Sequence, residues 1–116
     1  MNKRFVPPRG EAFMTLSAVI FPDSGTGVWI VQGLEYDICV QAETLEAVQT
    51  VFETTLNATA LASMELGRKP FEGIDPAPKK FWEMFNRAAK SLPLRRPRFV
   101  AVAGAPPVKI VERIAA

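Results

Sequence analysis

The sequence has no histidine and a single cysteine, Cys39. Without an imidazole, the usual general base, the Ser–His and Cys–His nucleophile pairs and most transition-metal sites are excluded. One cysteine cannot form an internal disulfide, which fits a reducing compartment. A reactive thiol needs a cationic neighbour, but the strand neighbours of Cys39 are Asp37 and Gln41, so it reads as a small strand residue. Long apolar runs are missing as well. Phe99 to Val108 is broken by Gly104, Pro106 and Pro107 and falls far short of the ~20 residues a spanning helix needs. Lys3 and Arg4 imitate the start of a signal peptide, but Pro7, Pro8, Arg9, Gly10 and Glu11 stand where its apolar core belongs. The expectation is a cytoplasmic protein with no enzymatic activity, no metal and no cofactor.

What is present suits one small domain: 116 residues, of which 48% are apolar, enough for one core. The net charge of +2 hides an uneven distribution. From Asp23 to Asp75 there are nine acids against Arg68 and Lys69, and from Lys79 to Arg98 seven bases against Glu83 alone. A chain divided this way can present one acidic and one basic face.

Residues 1–12 mix bases, prolines and a glycine and read as a flexible arm. Phe13 to Phe21 alternates, with Met14, Leu16, Ala18 and Ile20 on one face, as a strand does. Pro22-Asp23-Ser24-Gly25-Thr26 carries turn chemistry, and Val28 to Val31 reads as a central strand. Gly33-Leu34 permits a tight reversal, after which Glu35 to Gln41 alternates as a third strand with Tyr36, Ile38 and Val40 inward. The period then becomes helical. Thr44 is a candidate N-cap, and Leu45, Val48, Val51, Phe52, Leu56, Leu61 and Met64 recur in one stripe up to Gly67, a candidate C′ residue. A second helix is expected over 79–91, with Phe81, Trp82, Phe85, Ala88 and Ala89 on its apolar side. Short strands follow over 99–103 and 108–113. The expected fold class is α+β: a three-stranded antiparallel meander plus helix (β-β-β-α), then a second helix and one or two short C-terminal strands. The expected organisation is a domain over 13–91, followed by a basic linker and C-terminal strand segment over 92–116.

Three constellations bear on chemistry. Glu35 and Asp37, with Asp23 approaching from the turn, are candidate Mg²⁺ ligands, although two acids at i, i+2 on a strand more often form a solvated face. Gly25-Thr26-Gly27 joins strand to strand and so lacks the helix N-terminus that a phosphate loop requires. The bases Lys79, Lys80, Arg87, Lys90, Arg95, Arg96 and Arg98 are candidate nucleic-acid contacts, but no aromatics interleave with them on the basic side. The outer sheet face carries Val19, Phe21 and Cys39 and is partly apolar. Either the C-terminal segment or a second chain must cover it, and the expectation is a homodimer through this face or through an edge strand.

The stretch from Gly33 to Ala47, Gly-Leu-Glu-Tyr-Asp-Ile-Cys-Val-Gln-Ala-Glu-Thr-Leu-Glu-Ala, resembles the strand-to-helix signature of the HicB-like antitoxin family. Ala18-Val19-Ile20-Phe21 followed by Trp29-Ile30-Val31 is similar to that family's first hairpin. The resemblance covers about residues 14–66 and implies a stand-alone HicB-like domain with a truncated RNase H-like fold that has lost its catalytic acids. It also implies a dimer and, as partner, a HicA-like toxin that cleaves mRNA. Ala42 replaces a common glycine of the family, and no DNA-binding module is evident. The function expected is therefore a non-catalytic protein-binding module that masks a small RNase toxin or other nuclease, with Glu35, Asp37, Phe21 and Trp29 as partner-binding residues. The alternatives are a stand-alone nucleic-acid binder using the basic 79–98 segment, or a phage-type inhibitor of another nuclease complex. No membrane partner is expected.

Overall fold

The structure is a computed structural model that describes residues 14–88 and 98–115; the expected arm over 1–12 lies outside them. Alternating side chains make β1 (Met14–Pro22), in which Leu16, Ala18 and Ile20 are buried on one face and Val19 on the other. A strand buried on both faces belongs in the middle of a sheet, and β1 is the central one. The turn after it is built as its residues dictate: Asp23 Oδ2 accepts from the Thr26 hydroxyl (2.7 Å) and the Thr26 N–H (3.0 Å), and Gly27 adopts φ +77°. β2 (Trp29–Gly33) returns antiparallel, with Phe21 opposite Ile30 and Ala18 opposite Gly33.

The third strand is shorter than its alternation implies. β3 spans Cys39–Ala42, and residues 34–38 form a loop rather than a strand. Gly33 N–H donates to Ile38 O (2.8 Å), while Leu34 donates to Ser17 O (2.9 Å) and buries its side chain. The loop folds back so closely on Gly33 that a Cβ there would lie 2.9 Å from Tyr36 O. Only glycine fits.

α1 (Leu45–Glu65) starts and stops where local chemistry places it. The Thr44 hydroxyl accepts from Ala47 N–H (3.1 Å). At the other end Gly67 adopts φ +73°, its N–H reaches Met64 O (2.9 Å), and Arg68 N–H reaches Ser63 O (3.0 Å), a Schellman closure. α1 lays Val48, Phe52, Leu56 and Ala60 on the sheet, joined in one core by Leu16, Ile20, Val31 and Ile38. Phe71 completes that core from the following loop. It is fully buried, stacks on Tyr36 at 4.8 Å and adopts φ +66°, a conformation that costs a β-carbon-bearing residue roughly 1–2 kcal/mol.

α2 (Lys79–Arg87), capped by Ala88, crosses the opposite face. Phe81, Trp82, Met84 and Phe85 pack there with Val19, Leu34, Phe21 and Val111. The outer sheet face, expected to need the C-terminal segment or a second chain, is thus covered by this helix of the same chain: Val19 is 0% exposed, and Phe21 stacks on Phe81 at 6.1 Å.

The C-terminal segment is built into the sheet. β4 (Arg98–Val100) and β5 (Val108–Ile114) extend it to five strands in the order β3-β2-β1-β5-β4. β5 lies parallel to β1, with Met14 opposite Val108 and Ile20 opposite Ile114. Val108 and Ile110 are buried in the α1-side core. The α+β class stands, with a mixed sheet that continues past three strands. Among the described residues no helix is long and apolar enough to cross a membrane.

Candidate interaction surfaces

The residues that sequence reasoning marks for a partner do not form one patch. Phe21 lies on the α2 side of the sheet, whereas Trp29 packs against the α1-side core. Glu35 and Asp37 sit at the opposite end of the β1–β2 hairpin, in the loop after Gly33. The two acids have internal partners. Glu35 is half-buried and its carboxylate accepts the Ser17 N–H (2.6 Å), a β1 donor left open where β2 ends. Asp37 is exposed, yet its Oδ1 accepts from Nε2 of the buried Gln32 (2.8 Å), and its own N–H donates to Asp75 O (2.7 Å). Each acid therefore satisfies a polar group that its own sheet would otherwise bury.

Asp23, expected near these acids, lies at the far end of the hairpin and is held by Thr26. Those hydrogen bonds, the Thr26 hydroxyl first, hold its carboxyl below the usual aspartate value. The three carboxylates do not converge. No group of three histidine, cysteine, aspartate or glutamate side chains able to hold a metal occurs among the described residues. Cys39 is outward and exposed on edge strand β3, as alternation predicts. Desolvation, and then the Asp37 charge, push its thiol pKa up, so the thiol stays protonated near neutrality.

The basic residues are only partly in view. Lys79 and Lys80 occupy the exposed first turn of α2 and Arg87 its exposed last turn, with Glu83 between them. Lys80 Nζ lies 5.0 Å from the Phe81 ring centre. Arg98 opens β4, while Lys90, Arg95 and Arg96 lie outside the described residues. Arg113, which the sequence does not single out, is turned inward. Its guanidinium lies 4.1 Å over the Phe85 ring and donates to Phe85 O (3.3 Å), tying β5 to α2.

The surface that sequence reasoning misses is the outer side of α1. The apolar spacing puts Val51, Leu61 and Met64 in one stripe with Val48, Phe52 and Leu56. In the fold they are 38%, 44% and 45% exposed, and Leu66 beyond the helix is 70% exposed. At about 100° per residue, a helix that aims Val48, Phe52 and Leu56 at the sheet turns Val51 and Leu61 away from it. A signal is there to be read: no lysine or arginine occurs from Leu45 to Leu66, although a solvent-facing helix side normally carries both charge signs. A separate apolar cavity of about 180 Å³ lies beside β4, lined by Phe99, Val100, Ala101, Val102, Ala105 and Pro107. No family model, curated protein or solved structure matches the chain.

Proposed function

We propose that the chain is a non-catalytic, cytoplasmic protein-binding module of the antitoxin type, which masks the working surface of a small RNase toxin or another nuclease. The observation that carries the reading is the segment from Gly33 to Ala47. Its residues resemble the HicB-like signature, and it runs from the end of β2 through the 34–38 loop, edge strand β3 and the Thr44 cap into α1, ending in the strand-to-helix step that the resemblance implies. The acids of the 23–75 stretch support it: Asp37, Glu43, Glu46, Glu65, Glu72 and Asp75 are all exposed. An RNA-cleaving protein presents cations to phosphates, so an acidic surface is complementary to its working face and speeds encounter with it. Glu35, Asp37, Phe21 and Trp29 then matter mainly by shaping the loop and hairpin that present this surface. Capture from the native host with the intact chain as bait, read by mass spectrometry, is expected to return a small basic nuclease. Recovery of nucleic acid with no nuclease sinks the reading.

A second reading keeps a specific observation. Two lysines stand in the first turn of α2, where the helix dipole disfavours cations, and Arg87 shares their exposed side. Nucleic-acid binding through Lys79, Lys80 and Arg87, extended by Lys90, Arg95, Arg96 and Arg98, would place phosphates there. Its affinity would fall steeply with salt. Filter binding at low salt that retains neither DNA nor RNA ends that alternative.

A further inference from the structure

We propose that the open edge of β3 is a strand-addition site, which takes an extended segment of a protein partner that alternates apolar residues with lysine or arginine. The inference deepens the masking reading and rests on it for the identity of the partner. The backbone is arranged for such an addition. Gly33 N–H donates to Ile38 O (2.8 Å), so the β2–β3 ladder turns the backbone groups of Ile38, Val40 and Ala42 toward β2 and those of Cys39 and Gln41 outward. Upstream the same edge is closed, because Asp37 N–H donates to Asp75 O (2.7 Å). Cys39 and Gln41 therefore present two donors and two acceptors where, among the described residues, no further strand pairs. Sheet edges are commonly blocked by lysine, proline or a bulge, and β3 has none of these. β4, the opposite edge, begins with Arg98 directly after Pro97.

The surroundings select the occupant. No lysine or arginine occurs from Gly10 to Gly67, and Asp37, Glu43 and Glu46 are exposed around β3. An added strand meets a field that favours cations. Its two faces meet different surfaces. Val40 and Ala42 pack against the α1-side core, so alternation turns Cys39 and Gln41 to the other, wet face. On the first face α1 overhangs the edge. Gln49 Nε2 donates to Glu112 Oε1 of β5 (3.1 Å) and Asn57 Oδ1 accepts from Ala103 N–H (3.0 Å), which fixes the flank of α1 that looks toward β5. At about 100° per residue, Val51, Thr55 and Ala58 lie on the opposite flank, above the β3 edge. Apolar residues of the added strand face Val51, and the cations between them face Glu43 and water. A second copy fits poorly: β3 paired antiparallel with itself about Val40 sets Asp37 opposite Glu43, and like charges across a pair repel.

Nuclear magnetic resonance of the isotope-labelled full chain, titrated with a short synthetic Lys-Val repeat, tests this. The Cys39 and Gln41 amides are expected to shift most and to exchange more slowly with solvent, with the Val51 methyls following. A peptide of the same composition in two blocks, lysines then valines, should bind about tenfold more weakly, as should a repeat N-methylated at alternate residues. Gln41→Pro removes an outward N–H without touching the ladder, and Glu43→Lys reverses a charge beside it. Each should weaken binding about tenfold with an unchanged circular dichroism spectrum. Equal binding of the alternating and block peptides overturns the proposal. So do shifts centred on α2 or β4, or Cys39 and Gln41 amides already protected in the free chain, which means that the edge has another occupant. The masking reading fails separately. Nuclease capture that Gln41→Pro and Glu43→Lys leave intact overturns the edge site alone, whereas peptide binding at β3 with no nuclease captured supports the edge site and removes only the masking role.

Discussion

α1 and α2 cover opposite faces of one sheet, but they differ on their outer sides. α2 is short and sharply two-sided: Phe85 is buried, Phe81 and Trp82 half-buried, and Lys79, Lys80, Glu83, Asn86 and Arg87 face water. α1 is more than twice as long and, besides its buried stripe, leaves Val51, Ala58, Leu61 and Met64 exposed, with acids but no cation among its residues. A helix finished like α2 needs nothing further. A helix finished like α1 leaves apolar surface in water that a second protein surface can cover. The same contrast runs through the interior. The α1 side holds the larger core, with Phe52, Leu56 and Phe71 fully buried, while the α2 side is a smaller cluster around Val19, Leu34 and Phe85.

The largest test of that contrast is a pair of truncations. Phe52→Ala opens a cavity in the main core and is expected to cost about 3–5 kcal/mol in urea unfolding, in line with other buried aromatics. Phe85→Ala, at a side chain 9% exposed, should cost clearly less. Equal losses would erase the distinction between a main and a satellite core. Gly33→Ala comes next. Its Cβ meets backbone oxygen at 2.9 Å, so the 34–38 loop must shift, and a loss of about 1–3 kcal/mol is expected, in the range of overpacking. An unchanged midpoint would show that this loop is not held where Glu35 and Asp37 need it. Thr44→Ala removes the α1 cap and should cost ~1 kcal/mol, read as a lower melting temperature, with Thr44→Ser restoring most of it.

Two smaller effects concern ionisation. Alkylation of Cys39 at pH 7 should be slower than that of an unhindered thiol and should still be accelerating above the usual cysteine range, because desolvation and Asp37 raise its pKa. Removing the charge with Asp37→Asn should speed the reaction slightly. Asp23 has the opposite sign. Its folded-state pKa is lowered, so its contribution is present above the unfolded value of 3.8 and disappears as pH falls through the folded value. Asp23→Asn should flatten that acid limb of the stability curve only slightly, since the carboxylate is held by Thr26 within its own surface turn.

How much of this is legible in the sequence depends on how local its causes are. The Thr44 cap, the Gly67 end, the Asp23–Thr26 turn and the period-two run of β1 are decided by neighbouring residues, and they lie where the sequence places them. The third strand is shorter than its pattern because Glu35 to Gln41 alternates in composition while Leu34 and Gly33 bend the chain for reasons set across the sheet. The parallel seat of β5 beside β1 joins residues nearly a hundred positions apart, and no local pattern encodes it. Phe71 reads as a loop residue among prolines, and only the tertiary fold shows it plugging the core. The candidate site follows the same division. The individual acids and bases can be read directly, but which of them serve their own chain and which face outward depends on register. The missing cations of α1 are visible throughout, yet they become meaningful only once the helix has a buried side.

Whether this chain acts by covering another protein is tested most directly by titrating it into the nuclease it captures while following RNA cleavage. Cleavage is expected to fall to the uncatalysed level at one chain per nuclease, with no turnover by the chain itself. Cleavage that continues undiminished at saturating chain would contradict the masking role.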